Sequence, residues 1–213
     1  MTTRGLFITF EGGEGSGKST QIARLARRLE TAGVRVRALR EPGGTPVGEA
    51  VRALLLDPDH TGLDATAELL LYEASRAQLV ADVVEPALEA GEVVLCDRFY
   101  DSTTAYQGYA RGLSLERIRA LNMIATGGLA PDRTIVLDLE PATGIERATQ
   151  FSTDRLEGES LAFHQAVSRG FHSIAAEEPD RVRIVDASGS AEDVAELVAA
   201  ALAGLPALAE ALS

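Results

Sequence analysis

The chain has 213 residues, enough for one large domain or two small ones and for a full core without disulfide or metal staples. Twenty basic residues against 32 acidic ones leave a net charge of −12, which argues against non-specific binding to nucleic acid or to an anionic membrane. A single cysteine, Cys96, excludes an internal disulfide framework and fits a reducing cytosol, no apolar run reaches a membrane span, and the first ten residues lack the apolar core of a secretory signal.

Residues 5–10, GLFITF, are apolar, β-branched and aromatic and predict a short buried strand. Glycines follow, then a helix over 19–32 with Ile22, Leu25, Ala26 and Leu29 on one face and Gly33 as its stop. Residues 34–39 predict a second strand. Residues 40–48, REPGGTPVG, are too rich in Gly and Pro for anything but a loop, and 50–56 is helical. From Asp64, an N-cap, a long helical pattern runs towards Ala90, with Pro86 as a kink or break and Gly91 as its close. Residues 93–96 predict a strand that ends at Asp97-Arg98. A helix over 114–126, a strand over 134–139 and a helix start at 141–150 follow, then a polar interruption at 152–159. Residues 161–178 are helical and 182–185 form a last strand. Ser190 and Asp193 have capping-box spacing ahead of an Ala/Leu-rich C-terminal helix. Strands alternating with helices predict an α/β fold with a parallel central sheet of about five strands, in one domain over 1–213. Functional residues then belong beyond the C-terminal ends of the strands, in segments 11–19, 40–48, 97–109 and 186–190.

One of those segments is a motif. Gly12-Gly13-Glu14-Gly15-Ser16-Gly17-Lys18-Ser19 matches G-x-x-x-x-G-K-[ST] between a predicted strand and a predicted helix, the context that supports a phosphate loop. Glycines let backbone N–H groups turn inward around phosphate oxygens, and the helix N-terminus adds its dipole. Lys18 is the only lysine among 20 basic residues. A compact ammonium and a planar guanidinium are not interchangeable in a tight site, so its retention there is informative. Lys18 would reach the β/γ-phosphates, and the Ser19 hydroxyl would ligate Mg²⁺.

A phosphate loop alone does not separate kinases, switches and motors. The guanine-reading N-K-x-D motif needs a second lysine and is absent. Arginines instead cluster near strand ends and loop edges, at positions 40, 52, 76, 98, 111, 147 and 155. Arginine forks hold anionic substrates bidentately, as a phosphoryl-transfer enzyme must. Four of the ten aromatics, Phe99, Tyr100, Tyr106 and Tyr109, fall within 99–109. They offer either a wall for a flat base or a helix face packed on the core. His60, His164 and His172 have neither zinc nor triad spacing.

Five landmarks in order carry a family resemblance: ITFEGGEGSGKSTQ, REPGGT at 40–45, LLLYEASRAQLV at 69–80, DRFYDSTTAYQG at 97–108 and DRLE at 154–157. With them the chain resembles bacterial thymidylate kinases, P-loop nucleoside-monophosphate kinases that make dTDP from dTMP and MgATP. The resemblance covers nearly the whole chain. It implies a three-layer P-loop kinase fold, a cytoplasmic homodimer, and a lid at about 148–160. It implies that Gly12 to Thr20 bind ATP, with Arg147 and the backbone of 186–188 beside adenine. It implies that Glu41, Arg52, Tyr72, Arg76, Arg98, Thr103, Tyr106 and Gln107 bind dTMP: Tyr72 stacking on thymine, Arg76 bonding the base carbonyl, Thr103 and Gln107 lining the base pocket, Tyr106 near C2′ of the sugar, and Arg98 on the phosphate. Ser19 and Asp97 would lie at the magnesium, and Lys18, Asp97 and Arg98 at the transferred group.

The sequence departs from the family in its lid. Members without an arginine in the phosphate loop usually carry an arginine-rich lid, yet residues 148–154 hold no basic residue and the loop carries Glu14 and Ser16. Arg155 is therefore expected to meet the transferring phosphoryl group, with Arg147 as the second candidate. The competing reading pairs Arg155 with Asp154 or Glu157. Two other functions stand beside the main one: a related P-loop kinase for another nucleotide or nucleoside, and a catalytically silent nucleotide-binding module.

Overall fold

The structure, a computed structural model, describes residues 4–60, 62–148, 155–205 and 208–212. Five strands form one parallel sheet: β1 (Phe7–Glu11), β2 (Val36–Arg40), β3 (Val93–Asp97), β4 (Arg133–Asp138) and β5 (Val182–Asp186), in the order β2-β3-β1-β4-β5. Each strand lies within about a residue or two of its predicted position.

The three inner strands, β3, β1 and β4, are buried because both faces are covered, as expected of a parallel sheet. Ile8 and Phe10 point to one face. There they pack with Leu95, Ile135, Leu137 and Val185 against α1 (Lys18–Thr31) and a helix over Ala191–Leu202. Phe7, Val94 and Cys96 point to the other face, against Leu79, Val84, Leu88 and Phe99. Val136 and Val182 continue that face against Phe163, Val167 and Phe171 of a helix over Leu161–Glu177. This gives three layers, helices on both sides of a sheet.

One prediction about elements is corrected. Residues 46–48 are helical: α2 (Pro46–Leu56) begins at Pro46, with the Thr45 hydroxyl accepting from Gly48 N at 3.0 Å. Proline at the first helical position is favoured, because its missing N–H has no intrahelical partner there. The long helix is interrupted just ahead of Pro86, in keeping with the kink or break expected there. After α3 (Ala65–Leu79) the backbone widens into one π-helical stretch, Val80–Val84. It then resumes as α4 (Glu85–Glu89), with Pro86 in the first turn. A proline has no N–H to bond the carbonyl four residues back, and a wide turn shifts the ladder before it arrives. Beyond β3 the chain is also helical, as α5 (Tyr100–Thr103) and a π-helical segment Thr104–Ala110. α6 (Leu115–Thr126) and α7 (Pro141–Ala148) complete the elements near the site. Asp64 and the Ser190–Asp193 capping box hold their helix starts as predicted.

The sheet order places the chemistry. β1 lies between β3 and β4, so the loop after β1 has the ends of both as neighbours. Phe10 is in register with Asp97, which sets Glu11-Gly12 beside Arg98.

Candidate active site

The loop after β1 is a cradle built from left-handed glycines. Gly12, Gly15 and Gly17 have φ of 130°, 63° and 90°. A Cβ on Gly12 would sit 2.4 Å from the Leu137 carbonyl oxygen, and one on Gly15 would sit 2.1 Å from that of Gly144. Both positions therefore require glycine by close approach as well as by φ. Gly17 caps α1. The Lys18 ammonium is buried in the cradle. It donates to the Gly13 and Gly12 carbonyls at 2.8 and 3.3 Å and to Ser16 Oγ at 3.4 Å. Burial, and then the nearby Arg98, push its pKa below the ordinary lysine value.

Ser19 Oγ donates to Asp97 Oδ2 at 2.8 Å, so the hydroxyl ending the loop and the carboxylate ending β3 are already adjacent. Among the described residues no group of three or more His, Cys, Asp or Glu side chains could hold a metal. Two hard oxygens fit magnesium all the same, because Mg²⁺ is commonly held by one or two protein oxygens together with substrate phosphates and water.

Arg98 follows Asp97 at a φ of 71°, the only positive φ outside glycine among the described residues. Such strain costs about 1–3 kcal/mol and concentrates at functional sites. Its cause is visible. Arg98 N closes on the Phe10 carbonyl at 2.9 Å, and Phe99 N on Glu11 Oε1 at 2.7 Å, so the end of β1 folds the chain back. Glu11 is fully buried and also takes the Ser102 hydroxyl at 2.5 Å. Burial, reinforced by Asp101, pushes its carboxyl up to about 8. The sequence reading missed Glu11.

The turn delivers the Arg98 guanidinium across the loop. It donates to Glu14 Oε1 at 2.7 Å, Gly12 O at 3.0 Å and Ser102 Oγ at 3.2 Å, and lies 5.1 Å over the Tyr106 ring. The Tyr106 hydroxyl donates to the same Glu14 oxygen at 2.8 Å. Burial alone would raise the Glu14 carboxyl. Arg98, Lys18 and the Tyr106 hydroxyl outweigh burial and hold it near 2.

These groups open into a cavity of about 460 Å³. Its donor side is lined by Glu14 to Thr20, Asp97 and Arg98. Its far side is lined by Glu41, Arg52, Tyr72, Arg76, Thr103, Tyr106 and Gln107, the residues assigned by resemblance to the acceptor. Arg147 lines it too: α7 packs so closely on the loop that Gly15 meets Gly144. Gly12 and Gly13 line a small recess behind the loop instead.

Arg76 lines the cavity and is held on several sides by the protein. It is 1% exposed, and its N–H groups are engaged by Glu41 at 2.8–2.9 Å, Glu73 at 2.9 Å, Asn122 at 3.3 Å and Thr103 Oγ1 at 3.0 Å. The guanidinium fork is thus distributed over protein acceptors on several sides. Arg76 builds the wall by holding Glu41 and Thr103. Burial pushes the Glu41 carboxyl up to about 7, and its Oε1 meets no donor among the described residues. Arg52 donates to the Pro42 carbonyl at 3.0 Å, and Arg40 pairs bidentately with Glu49.

Arg155 is not among the residues lining this cavity; its described partners lie behind the wall. Its Nη2 meets Glu68 Oε2 at 2.5 Å and its Nε donates to the Leu55 carbonyl at 2.8 Å. Glu68, a buried carboxylate on α3, holds it. Asp154 and part of the expected lid, residues 149–154, lie outside the described residues. Further lining residues, Arg40, Pro42, Leu56, Phe99, Ser102, Leu156 and Glu157, were not assigned there from the sequence. Most are neighbours of motif residues, which is the signal that marks them.

Comparison with known proteins shows the family. The thymidylate kinase family profile matches residues 10–198. A thymidylate kinase from Solidesulfovibrio magneticus is 51% identical over 201 residues, covering 91% of this chain and 96% of that protein. One from Deinococcus radiodurans is 52% identical over 200 residues, covering 93% and 97%. A crystal structure of thymidylate kinase from Ehrlichia chaffeensis superposes with a TM-score of 0.78 at 34% identity, covering 93% of this chain and 99% of that one.

Proposed function

The chain belongs to the thymidylate kinase family and phosphorylates dTMP to dTDP with ATP as donor, and we propose how its own residues divide that work. One observation carries the assignment of roles. A single cavity has the phosphate cradle with Lys18 on one side and Tyr72, Thr103 and Gln107 on the other, with Arg98 between them.

The cradle of residues 12–20 holds the donor's phosphates through inward N–H groups and the dipole of α1. Arg147 and the backbone of 186–188 lie toward adenine. Ser19 and Asp97 would hold Mg²⁺, which supplies charge neutralisation at the donor phosphates. Tyr72 offers a face to the acceptor base, and Thr103 and Gln107 form its polar edge. Glu41, Arg52 and Arg76 shape the pocket around the acceptor, and Tyr106 closes it by the sugar. Arg98 binds the acceptor phosphate.

The acceptor is already a phosphate oxyanion, so no strong general base is required. Lys18 and Arg98 align two anions and offset charge on the transferring group, which is catalysis by positioning and preorganised electrostatics. Arg98 is fixed before substrate arrives by Glu14, Gly12 and Ser102. A lid over about 148–160 within one domain of 1–213 would exclude water from the reaction. Apolar residues exposed on α2, α3 and α6, among them Val47, Leu54, Leu70, Met123 and Ile124, support a homodimer. No described helix is long and apolar enough to cross a membrane. The single buried thiol of Cys96 fits a cytosolic setting.

The test is ADP release with MgATP against dTMP, dUMP, UMP, CMP, AMP and GMP. The highest kcat/KM is expected for dTMP. A better rate with any other acceptor would overturn the assignment of the far side of the cavity to thymidylate.

A further inference from the structure

Behind the acceptor wall lies a carboxylate that does not itself line the cavity. Glu68, on the first turn of α3, is 1% exposed. Its Oε1 accepts from Gln107 Nε2 at 2.8 Å and from Arg111 Nε at 3.3 Å, and its Oε2 meets Arg155 Nη2 at 2.5 Å. Arg111 carries a second partner, Glu159, at 2.7 Å, and lies 4.7 Å over the Phe163 ring. Two carboxylates and two guanidiniums therefore close an ion network with no net charge. Buried charges of this kind persist only when paired.

The partners of Glu68 come from two places. Gln107 is a cavity wall residue on the π-helical segment after α5. Arg155 opens the chain's return to the core, where it is fastened three times: its N donates to the Leu56 carbonyl at 3.3 Å, its Nε to that of Leu55, and its guanidinium to Glu68. The next residues, Leu156 and Glu157, line the cavity, and Leu156 is 7% exposed. Leu56, whose carbonyl receives Arg155, lines it as well. One anion thus grips the amide of one wall residue and the anchor of another.

We propose that Glu68 is a positioning residue for the acceptor pocket, and that Arg155 serves as its clasp rather than as a ligand of the transferring phosphoryl group. The inference rests on the functional reading above. Glu68 commits the nitrogen end of the Gln107 amide and so fixes which way that amide faces. By holding Arg155 it seats Leu156 in the wall opposite the phosphate loop. Contacts from this wall act on bound dTMP in ground and transition state alike, so losing them raises KM and leaves kcat nearly unchanged. An arginine on the transferring group would do the reverse.

Glu68→Gln keeps the volume and removes the charge; Arg155→Met removes the clasp from the other side. Each is expected to raise KM for dTMP about tenfold, the scale of coupling between contacting charged groups, with KM for ATP and kcat within about threefold. The double variant should be no worse than about twofold beyond either single one, because both delete one link. Arg155→Lys, which keeps the charge, should recover part of the KM. Should Glu68→Gln not fold, Arg155→Met against Arg155→Lys decides the point alone. A loss of about a hundredfold in kcat in Arg155→Met with unchanged KM for dTMP overturns the proposal. So do single effects that multiply, or folded variants with wild-type KM. Absence of dTMP turnover by the unsubstituted chain in the same assay would overturn the functional reading together with this inference. Turnover with unaltered variants overturns the inference alone.

Discussion

Replacing Glu14 by glutamine isolates the electrostatics of the phosphate loop. Glu14 accepts from Arg98 at 2.7 Å and from the Tyr106 hydroxyl at 2.8 Å, and its carboxyl is held near 2 against an ordinary 4.5. Its side chain is 16% exposed, so solvent screens the pair only weakly. A group depressed in the folded chain contributes stability above its unfolded pKa and loses it as pH falls through the folded one. Fully ionised, this carboxylate contributes about 3 kcal/mol, of which about 1 is lost by pH 4 and about 2 by pH 3. Glu11 and Glu41 titrate in the opposite sense, since burial pushes them up to about 8 and about 7. They are common to both proteins and drop out of a difference.

The assay is urea unfolding of the native chain and of Glu14→Gln at pH 7, 5, 4 and 3.5, followed by circular dichroism. The amide can still accept from Tyr106, so the difference between the proteins reports mainly the lost charge beside Arg98. At pH 7 the variant is expected to be less stable by about 3 kcal/mol, and the gap should narrow by about 1 kcal/mol at pH 4. A gap that stays constant over this range, or widens as pH falls, would refute the claim that Arg98 and Lys18 hold Glu14 ionised.

Three further outcomes are expected. Lys18→Arg should lower kcat by about two decades or more, because a planar guanidinium does not fit three acceptors at 2.8–3.4 Å in the glycine cradle; near-native kcat in a folded variant contradicts a phosphate-bridging role. Tyr72→Ala should raise KM for dTMP far more than KM for ATP, since a base-stacking face contributes about 1–3 kcal/mol; equal effects on both substrates put Tyr72 outside the acceptor pocket. Cys96 is fully buried and its thiol is pushed well up by burial, so a disulfide reagent should leave it unmodified until denaturant is added; rapid labelling of the native chain contradicts the packing behind β3.

What could be read from the sequence was what is contiguous. The phosphate loop is eight consecutive residues whose types follow from one task, and the strands are short apolar runs bounded by turn residues. Sequence neighbours of these motifs then fell into one cavity because a parallel sheet gathers its strand ends at one edge. Glu11 and Glu68 were not legible for the opposite reason. Glu11 meets Phe99 and Ser102 at separations of 88 and 91 residues, and Glu68 meets Gln107, Arg111 and Arg155 at 39, 43 and 87. In sequence Glu68 is an acidic residue in a helix's first turn, a position that the helix dipole alone explains. Arg155 was assigned by elimination among arginines, and its contact with Glu68, 87 residues away in the chain, has no local signal for the same reason.

The same buried acids bear on how an acidic chain handles two polyanions. Arg40 lies on Glu49, Arg76 on Glu41 and Glu73, and Arg98 on Glu14, so these cavity arginines are each fixed by carboxylates in the folded chain. A guanidinium stays charged under such conditions, and its planar fork keeps its direction when one edge is occupied. The acids thus act as orienting groups: they spend part of the attraction for phosphate in return for geometry that needs no reorganisation at the moment of transfer. Lys18 follows a different rule. Its hydrogen bonds run to two carbonyls and a hydroxyl, weaker acceptors that a phosphate oxygen readily displaces. A point charge with rotatable donors can shift from those acceptors to the ligand without moving the backbone. That division of labour, fixed forks around one adjustable ammonium, is why a chain with 20 basic residues keeps its single lysine at this position.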